Sequence, residues 1–335
     1  MANIYDIAKK ASVSTATVSR VINHDKNVSD KTRKKILKIL EEENYVFNAN
    51  AGSLRRKKTQ IIAIIVPDIK NPYFNNLASG IEEKAFDKNY NVIFCSTYED
   101  LNREEKYMKM LIEKRIAGVI IIPATNRGSH LKIFNEKKIP LVFLDRKIIG
   151  IEADCVVSDD RNAAKDLTCH LLKLGYKKIA IINCPTVLST GKDRLDGYLD
   201  ALEESKITAK DEYIKEVENN EISAYNILKE MMSKKNRPEA VFTTTNSITK
   251  GVIKAIHEKG LVIPNDIALV CFDGIETYPF LTACEQHAYL RGGIACDLII
   301  DRVEKNNAQD FQNVILKTVL DIRESCGCKI RKHSF

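Results

Sequence analysis

Ile4, Ile7, Ala8 and Ala11 recur at i, i+3, i+4 and i+7, so the chain opens with a predicted short helix carrying one apolar stripe. Ser12-Val13-Ser14 breaks the pattern, and Ser14 is placed to cap a second helix, with Thr17 three residues on. Val18, Val21 and Ile22 form the stripe of that helix. Two short helices joined by a three-residue turn read as a helix-turn-helix, though two small apolar helices also suit any helical bundle. Ser29 precedes a third helix expected to reach about Asn44, with Ile36, Ile39 and Leu40 inward and Lys31, Arg33, Lys34, Lys35 and Lys38 outward.

From Gln60 the period changes to apolar runs alternating with helical stretches. Strands are predicted at Ile61–Val66, Val92–Ser96, Val119–Ile122, Leu141–Leu144, Val156–Ser158, Ile179–Asn183, Ala240–Thr244 and Ile267–Phe272. Helices are predicted over Pro72–Lys88, Arg103–Lys114, Asn162–Leu174, Gly191–Glu204, Ser223–Lys234 and Asn246–Lys259. Fully apolar strands in β-α repeats mean parallel sheets covered on both faces. The fold class is therefore α/β behind a small helical domain. Periodicity leaves open one large sheet or two smaller ones.

Charge sharpens the division. Residues 1–58 hold 13 Lys and Arg against 6 Asp and Glu, whereas the rest of the chain balances at 39 of each. The whole formal excess of +7 thus sits on the helix-turn-helix segment. A basic run is usually a solvated face, but beside a groove-reading motif it supplies phosphate neutralisation. No run of about twenty apolar residues predicts a membrane span. The chain opens directly into an amphipathic helix with no charged-then-apolar leader, and its nine cysteines are odd in number, so reduced thiols and a cytoplasmic location are expected. Cys326-Gly327-Cys328 has no second cysteine pair or histidine cluster beside it in sequence, so no metal is expected and residues 326–335 read as a fraying tail.

The run Tyr5-Asp6-Ile7-Ala8, Val13-Ser14 and Thr17-Val18-Ser19-Arg20-Val21-Ile22-Asn23 resembles the DNA-binding headpiece of the LacI/GalR family of bacterial transcription regulators. The resemblance continues through Pro67-Asp68, Asn71-Pro72-Tyr73-Phe74, Asp145-Arg146, Arg194 with Gly197 and Ala201-Leu202, Pro264-Asn265-Asp266-Ile267, Phe272-Asp273, Leu281-Thr282 and Arg323-Glu324-Ser325, the last matching a closing strand. It implies a three-helix headpiece (1–47), a hinge (48–59) and a periplasmic-binding-protein type I core (60–325) of two Rossmann-like subdomains. These would take about 60–158 with 289–317, and about 162–285 with 319–325. Crossovers are expected near Ser158–Asp160, Gln286–Tyr289 and Thr318–Asp321.

The resemblance also distributes roles. Thr15, Ala16 and Arg20 would read base edges, while Tyr5, Ser14, Thr17, Ser19 and Asn23 would position the DNA backbone. Ala51 and Leu54 would enter the minor groove from a hinge helix, although Gly52 stands where the family usually has arginine and weakens that helix. Tyr73, Phe74, Asp145, Arg146, Arg194, Asn246, Asp273 and Gln286 would line an effector cleft at the carboxyl ends of the strands. Tyr73 and Phe74 suit an apolar cluster at a helix start equally well. Asn246, Cys271 and His287 depart from the family's aspartate, glycine and proline.

The expected partners are double-stranded operator DNA, a sugar or sugar derivative, and a second copy of the chain, with no cofactor and no membrane. A global carbon-catabolite regulator answering to a phosphorylated carrier protein is an alternative. An enzyme is disfavoured, because the chain has no Gly-x-Gly-x-x-Gly, no Walker loop, no His-x-x-x-His and no Gly-x-Ser-x-Gly. A transport or receptor binding protein would share the core but has no use for the basic headpiece.

Overall fold

The computed structural model describes residues 3–22, 25, 27–43, 59–305 and 310–330. The chain divides into two units, Met1–Thr59 and Gln60–Phe335.

In the first unit, α1 (Ile4–Ala11), α2 (Thr15–Ile22) and α3 (Asp30–Glu42) pack around buried Ile7, Ala8, Ala11, Val18, Val21 and Ile36. Asn3 and Asp6 close a capping box at the start of α1, and Ser12 ends that helix in the left-handed region at φ 57°. The Ser14 hydroxyl accepts from the Thr17 amide at 3.2 Å and pairs with the Thr17 hydroxyl at 2.9 Å, the cap expected from sequence. Ser29 caps α3 through the Thr32 amide in the same way.

The second unit holds two six-stranded sheets. In the first, β1 (Ile61–Val66), β2 (Asn91–Ser96), β3 (Gly118–Ile121), β4 (Leu141–Leu144), β5 (Asp154–Ser158) and β11 (Asn313–Leu316) lie in the order 11-5-4-3-1-2, all parallel. In the second, β6 (Ile179–Asn183), β7 (Ile214–Glu216), β8 (Ala240–Thr243), β9 (Ala268–Cys271), β10 (Thr282–Glu285) and β12 (Val319–Asp321) lie in the order 12-10-9-8-6-7, with only β12 antiparallel. Each sheet has apolar clusters on both faces, which is why its inner strands read as unbroken apolar runs. The chain passes between the sheets three times, after β5, after β10 and between β11 and β12.

Four strands escape the periodicity. β7, β11 and β12 are three or four residues long and lie at sheet edges with half-exposed side chains, and β10 is a four-residue strand beside β12. β5 starts two residues earlier than predicted because buried Asp154 is paired with Arg302 at 2.8 Å, so a charge heads a core strand. Two expectations for the C-terminus are corrected. Arg323-Glu324-Ser325 is no strand; Glu324–Cys326 forms a 3-10 turn whose Ser325 hydroxyl donates to the Leu269 carbonyl at 2.6 Å. Cys326 and Gly327 are buried against the second sheet, so the tail begins packed, and only Lys329 and Ile330 of residues 326–330 are exposed.

Candidate functional site

On the first unit, burial of Val18 and Val21 turns Ala16 and Arg20 outward, with Thr15 half-buried at the start of α2. Tyr5 is 72% exposed on α1, Ser14 is exposed, and Thr17 and Ser19 are half-buried. The Arg20 guanidinium meets only a loose ion pair, 4.0 Å from Asp25, and so keeps its reach. Asn23, Ala51 and Leu54 lie outside the described residues.

On the second unit, each sheet reverses its strand order beside its first strand, between β1 and β3 and between β6 and β8. Loops at such switch points form the binding crevice of open α/β sheets. The segment after β1 begins the helix α4 (Pro72–Asp87) with Tyr73, β4 delivers Asp145, β8 leads to Asn246, and β9 leads to Asp273. A cavity of about 540 Å³ opens there, lined by Tyr73, Asn76, Asn246, Asp273 and Gln286 among others.

Behind this cavity a polar network joins the two sheets across two crossovers. The Tyr73 hydroxyl donates to Asp145 and, at 3.3 Å, to the Gln286 carbonyl oxygen. The Gln286 amide donates to Asp273, while its oxygen accepts from the Ser158 hydroxyl at 2.8 Å. Ser158 also contacts Asp160, and Asp160 is gripped by Arg194 through Nε at 3.0 Å. Arg194 donates further to the Thr244 carbonyl at 2.6 Å and sits over the Phe272 ring, 3.7 Å from its centroid. Asn246 donates to Asn71 at 3.4 Å, but its buried Oδ1 has no hydrogen-bond partner.

The electrostatics follow from burial. Burial pushes Asp160 up to about 6 and Asp273 up to about 7, against the pull of Arg194 on both. Asp145 is raised for the same reason, with Arg194 and Arg146 opposing. Burial draws the Arg194 guanidinium down, but Asp160 and Asp273 outweigh it and hold that charge firmly. A carboxyl whose folded pKa is raised costs nothing below the unfolded value of 3.8, costs increasingly as pH climbs from there to about 7, and keeps that full cost above it. Asp273→Asn keeps an oxygen for Gln286 while removing the charge. It should therefore stabilise the ligand-free protein at pH 8 by on the order of 2–4 kcal/mol, with the gain fading towards pH 4. Thermal melts across that range check this; a gain independent of pH would mean that Asp273 titrates as an ordinary carboxyl.

Not every expected cleft residue lies where the resemblance puts it. Phe74 is only 5% exposed and packs in the core with Leu77 and Ile81, so the helix-start cluster describes it and no ring face is offered to a ligand. Arg146 points away into a bidentate pair with Glu99, both contacts at 2.7 Å, and a contact with the Pro123 carbonyl. Tyr73, Asp145, Arg194, Asp273 and Gln286 do come together in the network, with Asn246 at the cavity wall. His287 takes φ 51°, which proline cannot adopt, so its departure from the family pattern has a backbone reason.

Sequence reasoning missed Ser158 and Asp160 as site residues, and above all Arg291. This arginine is fully buried on α11 (Ala288–Lys305) and donates to Ser158 at 3.1 Å, to Gln286 at 3.2 Å and to Asp145 at 3.3 Å. Burial pulls its guanidinium down to about 9. Its signal was present in the spacing: Arg291, Ala295 and Ile299 fall at i, i+4 and i+8, which puts a cation on the buried stripe.

Among the described residues no helix is long and apolar enough to cross a membrane, and no group of three His, Cys, Asp or Glu is placed to hold a metal ion. A helix-turn-helix unit followed by a two-sheet crevice lined with buried ions defines a class: DNA-binding regulators governed by a small ligand. Residues 3–48 match the model of bacterial regulatory proteins of the lacI family, and residues 59–320 match that of periplasmic binding proteins and the sugar-binding domain of the LacI family. The chain belongs to the LacI family of bacterial transcription regulators and is not an enzyme.

Among its relatives are the HTH-type transcriptional repressor PurR of Proteus mirabilis, 33% identical over 94% of both chains, and the ribose operon repressor of Halalkalibacterium halodurans, 32% identical over 97% of both. The fold is shared with the lac repressor dimer bound to operator and the anti-inducer ONPF. That match has a TM-score of 0.84 at 22% identity, over 97% of this chain and 99% of that one. It is shared too with the complex of the transcriptional regulator CelR with cellobiose, at a TM-score of 0.73 and 22% identity, over 97% of this chain and 100% of that one.

Proposed function

We propose that this chain is a cytoplasmic repressor that binds a pseudo-palindromic operator as a homodimer and answers to a neutral sugar or sugar derivative in the core crevice. The observation that carries the effector class is the crevice chemistry. Asp145, Asp160 and Asp273 are buried carboxylates, Asn246 has an orphaned oxygen, and Arg194 and Arg291 are already engaged with the acids. Such a surplus of acceptors suits hydroxyl donors, whereas a phosphate or carboxylate ligand would set its charge against three acids. The relatives that repress a ribose operon or carry cellobiose support the same class.

On the DNA side, the outward Ala16 and Arg20 and the +7 excess on residues 1–58 support major-groove reading with phosphate neutralisation. Effector occupancy would alter how the two sheets sit about the crossovers and thereby the population of the DNA-competent dimer. Thermal-shift screening of purified protein against neutral sugars, sugar acids and sugar phosphates tests the effector class, because a ligand of the folded state raises apparent stability. Stabilisation by neutral sugars is expected. A response confined to phosphorylated ligands, or to a phosphorylated carrier protein, would replace this reading.

The hinge supports a separate prediction. Leu54 is of the right type to wedge into a minor-groove base step. Leu54→Ala should weaken operator binding far more than binding to random duplex. Equal losses on both, measured by anisotropy at one salt concentration, would remove the wedge.

A further inference from the structure

Seven of the nine cysteines, at 95, 155, 169, 184, 271, 284 and 296, have thiols pushed up by burial. Cys328 is raised in the same way, and only Cys326, beside it on the C-terminal turn, is lowered. Cys326 and Cys328 each donate to the same carbonyl, that of Arg323, at 3.2 Å, so their sulfurs sit side by side. Gly327 between them turns the chain at φ 80°, and a Cβ there would lie 2.6 Å from the Tyr176 hydroxyl, so the tight turn is built into the packing. The Tyr176 hydroxyl fixes it by donating to the Cys326 carbonyl at 3.1 Å. His170, buried on the helix α7 (Asp160–Lys173), lies beside Cys326 and helps to lower its thiol, and its buried Nε2 has no hydrogen-bond partner.

We propose that Cys326 and Cys328 form a redox-active dithiol that exchanges with small-molecule disulfides such as oxidised glutathione, with His170 as the base beside it. Cys328 is the more exposed sulfur and takes the first step: burial and the neighbouring Cys326 raise its thiol, so only its small deprotonated fraction bonds to one glutathione sulfur and expels the other as thiolate. Cys326, deprotonated towards His170, then attacks the Cys328 sulfur, forms the internal disulfide and expels the second glutathione thiolate. Two protein thiols are oxidised, one small disulfide is reduced to two thiols, and the two protons go to the departing thiolates. Burial alone would raise the Cys326 thiol, but the contacts with His170, Thr282 and Cys328 bring it down to about 7, close to the optimum for an attacking thiol. Tyr176 packs directly on it, Cys284 and Tyr198 share its apolar cluster, and the Lys329 ammonium acts on Cys328 beside it. The neighbouring Ser325 hydroxyl accepts from the Thr282 amide at 2.8 Å and donates to the Leu269 carbonyl, so the pair sits on the segment that latches β9 to β10.

Full-length protein equilibrated in glutathione buffers, alkylated and mapped by peptide mass spectrometry tests the assignment. The expected product is a disulfide within residues 326–328, while the cysteines at 95, 155, 184, 271, 284 and 296 stay reduced and resist alkylation until the protein is denatured. Cys326→Ser should instead accumulate glutathione on Cys328, because the resolving sulfur is gone. Cys328→Ser, a change on a half-exposed turn, should form neither product at a comparable rate. His170→Gln should slow formation of the internal disulfide about tenfold at pH 7. Protection of the buried cysteines in each variant verifies the fold. A pair that stays reduced in oxidising buffer, or a Cys326→Ser protein that matches the wild type in its products, would overturn the proposal.

Discussion

Arg194→Ala is expected to lower the affinity for the sugar effector by two to three orders of magnitude, about 3–4 kcal/mol, and to abolish the effect of that sugar on operator binding. The guanidinium holds Asp160 with two contacts, at 3.0 and 2.9 Å, ties the Thr244 carbonyl and stacks on Phe272. All of these groups are buried. Removing the cation strands Asp160 in a water-poor site, where the carboxyl takes up a proton and no longer orients Ser158. Lysine should not rescue the function, because a point charge supplies neither the planar fork nor the stacking surface. Isothermal titration with the stabilising sugar reads the affinity, and a loss under tenfold would reduce Arg194 to a structural ion pair.

The second large effect belongs to the DNA-binding unit. Arg20→Ala should cost about 1–3 kcal/mol per half-site and relax the preference at one symmetry-related base pair. Arg20 is the one long side chain on the proposed reading face, beside Thr15 and Ala16, and its 4.0 Å pair with Asp25 would leave the fork free to address guanine O6 and N7. With so sparse a face, most of the discrimination at the half-site would rest on this proposed contact. Competition with duplexes altered at single positions distinguishes a base reader from a phosphate contact. A loss equal for every sequence, with a shallower salt slope, would move Arg20 to the backbone.

The contrast between these two sites reflects what a linear pattern can carry. The reading helix was legible because its stripe, cap and turn are local: Ser14 and Thr17 lie three residues apart and bond as expected. The inner strands were legible because burial on both faces leaves them uniformly apolar. The crevice was only half legible. Asp145, Arg194, Asp273 and Gln286 stand out as polar residues at strand ends and helix starts, yet which of them meet depends on three crossovers that bring residues more than a hundred positions apart into contact. Arg291 was hidden among apolar neighbours on a helix start, and Phe74 beside Tyr73 looked equally aromatic, although α4 turns one ring to the network and the other to the core. The edge strands were lost because strands of three or four half-exposed residues carry no period to detect.

We propose that a ligand in the cavity at Asp273, backed by Asp145 and Arg194, governs how tightly the headpieces hold DNA. The most direct measurement is a titration of the full-length protein into a labelled duplex selected from random sequence, with and without the neutral sugar that most stabilises the core. The selected duplex should be pseudo-palindromic, and the sugar should shift its Kd at least about tenfold for the wild type while leaving Arg194→Ala unshifted. A Kd that stays the same in the presence of every stabilising sugar would contradict the claim.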